Sequence, residues 1–173
     1  MCMSHTDTAR EANLLGALGL AVADRLAQAA DPRTAGSAAE ALATLHGTGG
    51  GLSIDALARI VGLSHSGTVR LVDRLQAAGL VERRAGADQR STSLRLTVTG
   101  RRAARRALAR REAAVQELLA PLTPADRESV ARLSELMLAG AARAAGTRER
   151  LCRLCDREAC GRRHGSCPVA AKT

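Results

Sequence analysis

Ser53-Ile54-Asp55-Ala56-Leu57-Ala58-Arg59-Ile60-Val61-Gly62-Leu63-Ser64-His65-Ser66-Gly67-Thr68-Val69-Arg70-Leu71-Val72-Asp73-Arg74-Leu75-Gln76-Ala77-Ala78-Gly79 is the stretch on which the fold turns. Ser53 can cap a short helix over residues 54–61, in which Ile54, Leu57, Ala58 and Val61 share one face. Gly62 breaks that helix, Ser64 caps a second from 65 to about 78, and Gly79 ends it. A tight glycine turn lets Leu57, Val61, Val69, Val72 and Leu75 pack the two helices together. Beyond Gly79 the period changes to two. Residues 80–84 and 93–98 read as short strands, with Leu94, Leu96 and Val98 alternating with polar neighbours, and 85–91 form a polar tip between them.

Two short helices followed at once by a two-stranded hairpin make a winged helix-turn-helix. Outward from it, Leu14, Leu15, Leu18, Val22, Leu26 and Ala29 form a helical stripe over residues 7–30, ended by Asp31-Pro32. Ser37 is a candidate cap for a helix that turns Ala41, Leu42 and Leu45 inward and closes at the glycines of 47–51. On the far side, Thr99 is the expected cap of a long helix over 100 to about 119, stopped by Pro121. Thr123-Pro124 opens another, to about 145, striped by Val130, Leu133, Leu136, Met137 and Ala141. Gly146 marks the end of this helical body. The expected fold class is mainly α, with one short antiparallel β-hairpin.

A chain of 173 residues has room for one ordinary domain and a small appendage. It contains no Phe, Tyr or Trp, which excludes readers of single-stranded nucleic acid that stack bases on rings, and also aromatic cages for quaternary ammonium ligands. The core must come from Leu, Val, Ile and Ala, which favours packed helices. No run approaches a membrane span and the N-terminus does not open a signal peptide, so a cytoplasmic protein is expected. The net charge is +9, and 25 of the 26 basic residues are arginine. Residues 1–60 carry −2, residues 61–120 carry +7 and residues 121–173 carry +4. A polyanion facing the middle third, or a merely solvated basic surface, would each account for that distribution.

On the second helix Ser64, His65, Ser66, Thr68, Arg70 and Arg74 fall at or near the face that would enter a major groove. Short hydroxyls at a helix N-terminus suit phosphate and base-edge contacts. Arg70 and Arg74, four apart, can read guanine or hold phosphate. His65 suits DNA better than a core or a metal, and Asp73 can pin Arg70 or Arg74 instead of touching DNA. Arg101, Arg102, Arg105, Arg106, Arg110 and Arg111 line one face of the long helix, as a solvated surface or a DNA contact.

The run 52–84, the wing tip Asp88-Gln89-Arg90 and the exit Leu94-Arg95-Leu96-Thr97-Val98-Thr99-Gly100 closely resemble the MarR (multiple antibiotic resistance regulator) family over roughly residues 7–145. The resemblance implies a non-enzymatic regulator that binds double-stranded DNA as a homodimer. Its DNA-binding lobe would span about 34–99, between dimerisation helices at about 7–30 and 100–145. It further implies that Arg90 enters the minor groove, oriented by Asp88, as suits an arginine in a narrow electronegative groove. Proteins of that family often hold a small ligand between the two regions; without aromatic residues the usual phenolic pocket has little support here, and the ligand is unknown.

Residues 146–173 depart from the family. Cys152, Cys155, Cys160 and Cys167 spell C-x2-C-x4-C-x6-C, a metal-ligand spacing. Gly161 and Gly165 let the chain turn back, and Arg150, Arg153, Arg157, Arg162 and Arg163 would offset thiolate charge and lower the thiol pKa values. Zinc or an iron–sulfur cluster fits the pattern, with His164 a spare ligand. A metal-free thiol–disulfide switch is the alternative, as is a metal or redox carrier with a vestigial DNA-binding domain. A thiol enzyme lacks any evident base or oxyanion arrangement. Cys2 stands alone and is expected to be inert.

Overall fold

A computed structural model of the chain describes residues 5–85, 92–144 and 147–170. Helix α1 (His5–Ala29) leads through a 3-10 turn at Pro32–Thr34 to α2 (Ser37–Thr48), α3 (Ile54–Val61) and α4 (His65–Ala77). Strands β1 (Val81–Ala85) and β2 (Thr92–Leu96) follow, then α5 (Val98–Leu119), α6 (Pro124–Ala141) and the short α7 (Thr147–Leu151). The expected winged helix-turn-helix is therefore the observed fold.

Hydroxyl caps set the helix starts. Ser53 accepts from the Ala56 amide at 3.1 Å, and Ser64 from that of Gly67 at the same distance. Thr123 and Asp126 form a reciprocal capping box at α6. Gly62 ends α3 with φ +73°, a left-handed conformation that glycine adopts without a Cβ penalty. Two caps differ from expectation. Ser37 is already helical, with Gly36 ahead of it. Thr97, not Thr99, caps α5: its hydroxyl accepts from the Gly100 amide at 2.9 Å, so Val98 starts a helix and is exposed instead of ending the strand.

The β1–β2 pair is antiparallel, with Val81 opposite Leu96 and Arg83 opposite Leu94. Leu52 adds a bridge to Leu94: the Leu94 amide donates to the Leu52 carbonyl at 2.8 Å and the Gly51 amide to the Leu94 carbonyl at 2.9 Å, tying the loop before α3 to the wing. The main core lies between α2, α3, α4, the wing and the start of α5. Leu42, Leu45, Leu57, Leu71, Val72 and Leu94 are its largest fully buried side chains. Gly100 is required there: a Cβ would collide with the Leu80 carbonyl oxygen.

Outside this core the helices are thinly covered. Helix α6 has no buried residue, and Val130, Leu133, Leu136 and Met137 are exposed. On α1 only the end packs down, with Val22, Leu26 and Ala29 half-buried, while Leu14, Leu15 and Leu18 are exposed. Arg25 reaches Glu117 at 2.7 Å and holds α1 along α5. Among the described residues no helix is long and apolar enough to cross a membrane.

Candidate nucleic-acid interface

The N-terminus of α4 projects beside the turn after α3. His65 Nδ1 stands 2.6 Å from Asp55 Oδ1, joining the two helices of the motif at their exposed edge. The Ser66 hydroxyl lies 3.3 Å from that of Ser64. Ser64, His65, Ser66, Arg70 and Arg74 are all exposed, five of the six expected residues, spread from the start of α4 to its last turn. Thr68 does not belong with them. It is fully buried, and its hydroxyl donates back to the Ser64 carbonyl at 2.9 Å, which satisfies it inside the core.

Asp73 pins neither Arg70 nor Arg74. Its carboxylate accepts from Arg83 Nη2 at 2.7 Å, and Arg83 Nη1 donates to Gln76 Oε1 at 2.7 Å. Arg83 thus couples strand β1 to α4, a role with no local signature because its partners lie seven and ten residues upstream. Asp88 and Arg90 lie outside the described residues, as does Cys2.

The basic face of α5 has more than one use. Arg101 donates to the Leu96 carbonyl at 2.9 Å, and Arg110 lies 3.7 Å from Asp31. Arg33 and the Arg33 amide hold the Asp31 carboxyl below the usual aspartate range, the backbone hydrogen bond contributing most. Arg106, Arg110 and Arg111 border a cavity of about 270 Å³ with Leu26, Leu80 and Ala103 among its lining. The cavity needs no aromatic ring to exist, and Leu154 of the cysteine segment contributes to its wall.

The cysteine segment does not hang free. Arg153 reaches Glu40 of α2 at 2.8 Å, and the buried Thr44 hydroxyl donates to the Arg153 carbonyl at 3.1 Å. Helix α7 packs on α3. Cys152, Cys155, Cys160 and Cys167 are all free thiols. Cys167 is buried with Val169 and Ala142, and Cys152, Cys160 and Leu151 pack against them. Burial pushes the Cys152 thiol up, ahead of the opposing pull of Arg162. Burial, then the Cys160 sulfur beside it, push Cys155 to about 12. The arginines therefore do not lower these two thiols as expected; the low-polarity surroundings and neighbouring sulfurs win. His164 turns to Glu158 at 3.5 Å. Among the described residues no three His, Cys, Asp or Glu side chains surround a common point closely enough to hold an ion as they stand.

Residues 34–91 match the model of the MarR family. Among solved structures, the chain is similar to a MarR family protein from Bacillus stearothermophilus, with TM-score 0.66 and 22% identity over 79% of this chain and 96% of that one. It is similar to MarR (apo form) from E. coli, with TM-score 0.62 and 19% identity over 80% and 99% of the two chains. It is also similar to the Mycobacterium tuberculosis MarR family protein Rv2887 in complex with p-aminosalicylic acid, with TM-score 0.58 and 28% identity over 73% and 96%. A comparison with the curated proteins finds no match.

Proposed function

We propose that this MarR-family winged helix-turn-helix chain, a DNA-binding regulator by its fold, acts as a homodimeric, non-enzymatic repressor that reads a pseudo-palindromic duplex with one α4 per half-site. The observation that carries the reading is the exposure of α4 along its length: Ser64, His65 and Ser66 are exposed at its start, Arg70 in its middle and Arg74 in its last turn. Backbone amides at the helix start attract phosphate, and the two arginines supply charge and base-edge donors. The family resemblance adds Asp88 and Arg90, which would contribute a minor-groove contact.

Dimerisation is supported by the unburied stripe of α6 and the exposed leucines of α1. Apolar faces of this extent on two terminal helices are stabilised by a partner, and a second copy presents the same faces by symmetry. The four cysteines make the regulator responsive to metal supply or redox state. The arginine-bordered cavity suits a small organic anion as effector, the kind of ligand with which Rv2887 was crystallised.

The test is selection of bound sequences from a random duplex library, followed by titration across salt concentrations. A palindromic consensus and a steep negative salt slope are expected. Binding without sequence preference or salt dependence would leave only the carrier reading.

A further inference from the structure

The cysteine segment is small, thiol-rich and laid on the helix-turn-helix. Its interior is Ala142, Cys167 and Val169, too little apolar surface to order some two dozen residues unaided. Small domains of this kind gain their folding free energy from cross-links or bound metal. Gly161 and Gly165, at φ +71° and +72°, turn the chain so that Cys152, Cys160 and Cys167 pack in one cluster, and Cys155 adjoins Cys160. Two guanidiniums stand beside the sulfurs. Arg162 Nη1 lies 3.7 Å from Cys152 Sγ, and Arg157 lines the same recess as Cys152.

We propose that Cys152, Cys155, Cys160 and Cys167 are the four thiolate ligands of one thiophilic metal centre, a zinc ion or an iron–sulfur cluster, which clamps residues 147–170 to α2 and α3 and so tightens DNA binding. The donor set fits: four soft sulfurs, none in a disulfide. The side chains do not yet enclose a point, so the metal closes the loop instead of dropping into a finished cage. Binding zinc exchanges four S–H bonds for four Zn–S bonds and releases four protons, which leaves a centre of net charge −2. A four-iron cluster core of charge +2 on four thiolates reaches the same −2. The facing arginines offset that charge.

The clamp acts where the fold is most sensitive. Arg150 covers Gly62 at the turn of the motif, Arg157 covers Gly47, and Arg153 and Thr44 fix the segment to α2. Loss of the metal releases these contacts and loosens the end of α3, against which α4 is set. This consequence rests on the DNA-binding reading, whereas the metal site does not.

The full chain, purified anaerobically, is assayed for metal, for visible absorption and for uptake of zinc alone or of ferrous iron with sulfide. One zinc per chain without colour, or iron and sulfide with visible bands, is expected, and either is lost in Cys155→Ser/Cys160→Ser. No metal in any arm, or a stoichiometry the double variant retains, overturns the site; a Cys155–Cys160 disulfide in mass spectra with no metal assigns a thiol switch instead. For coupling, affinity for the selected duplex is compared between loaded and chelated protein, with a loss of at least about tenfold expected on chelation. Glu40→Gln, which leaves every cysteine in place, should keep the metal and shrink that difference. Equal affinities of loaded and chelated wild type overturn the clamp. If wild type binds no duplex in either state, the DNA-binding reading fails while the metal stoichiometry still decides the site.

Discussion

The guanidinium of Arg150 occupies the space that a side chain at Gly62 would need: its Nη2 lies 2.7 Å from where a Cβ would stand. Residues 88 apart in the chain thereby share one spot at the turn between α3 and α4. A side chain at position 62 meets two penalties, the left-handed φ of +73° and the displacement of Arg150. Gly62→Ala should lower stability by about 1–2 kcal/mol in urea unfolding, most of it from the backbone. Arg150→Ala in that background should recover only the smaller, steric part.

Gly100→Ala tests a contact that no flexible group can relieve, because the colliding atom is the Leu80 carbonyl oxygen. We expect a loss of about 1–3 kcal/mol by overpacking, read as a lower urea midpoint with unchanged m-value. Equal stability of the variant and wild type would mean that α5 shifts along the wing at little cost.

Leu133→Glu/Leu136→Glu places two charges on the exposed stripe of α6, where neither residue is buried within the chain. The variant should retain its helical circular dichroism yet run as a monomer in sedimentation velocity, with its affinity for the palindromic duplex reduced by more than tenfold. A dimer of unchanged affinity would place the self-association surface elsewhere.

Arg70→Ala and Arg74→Ala separate the two uses of an α4 arginine. If the residue holds phosphate, binding weakens evenly across sequences and the salt slope falls by about 1; if it reads a base, about 1–3 kcal/mol of discrimination disappears at one position. Thr68→Val should leave the salt slope unchanged, since that side chain is sealed inside the core.

Asp126 gives a pH dependence of fixed sign. Hydrogen bonds from the Thr123 hydroxyl and amide hold its carboxyl below the ordinary aspartate range. A depressed native pKa means that the contribution is complete above the unfolded-state value and is lost as pH falls through the native one. Thermal melts should therefore show a gap between wild type and Asp126→Asn at neutral pH that closes on acidification below the aspartate range.

What the sequence showed and what it hid follow from range. Ser53, Ser64 and Thr123 were legible as caps because each bonds an amide three residues on. Thr97 was missed because the apolar alternation of Leu94 and Leu96 runs on into Val98, although the backbone turns helical there. Thr68 looked like a groove-facing hydroxyl, since a bond back to the preceding turn leaves no mark in composition. The docking of the cysteine segment was beyond local reading altogether: Arg153 and Glu40 are 113 residues apart.

Arg83 closes a brace from the first strand of the wing to Asp73 and Gln76 on α4. On the proposed DNA-binding reading, a helix and strand held this way would keep a fixed distance between one groove and the next. Errors of spacing within a half-site would then be taken up by bending the DNA instead of by a swinging wing. In the proposed homodimer, spacing between half-sites would be set separately, by the exposed faces of α1 and α6 against a second copy. Insertions inside either arm of an operator should thus lower affinity, read by titration of spacer-altered duplexes.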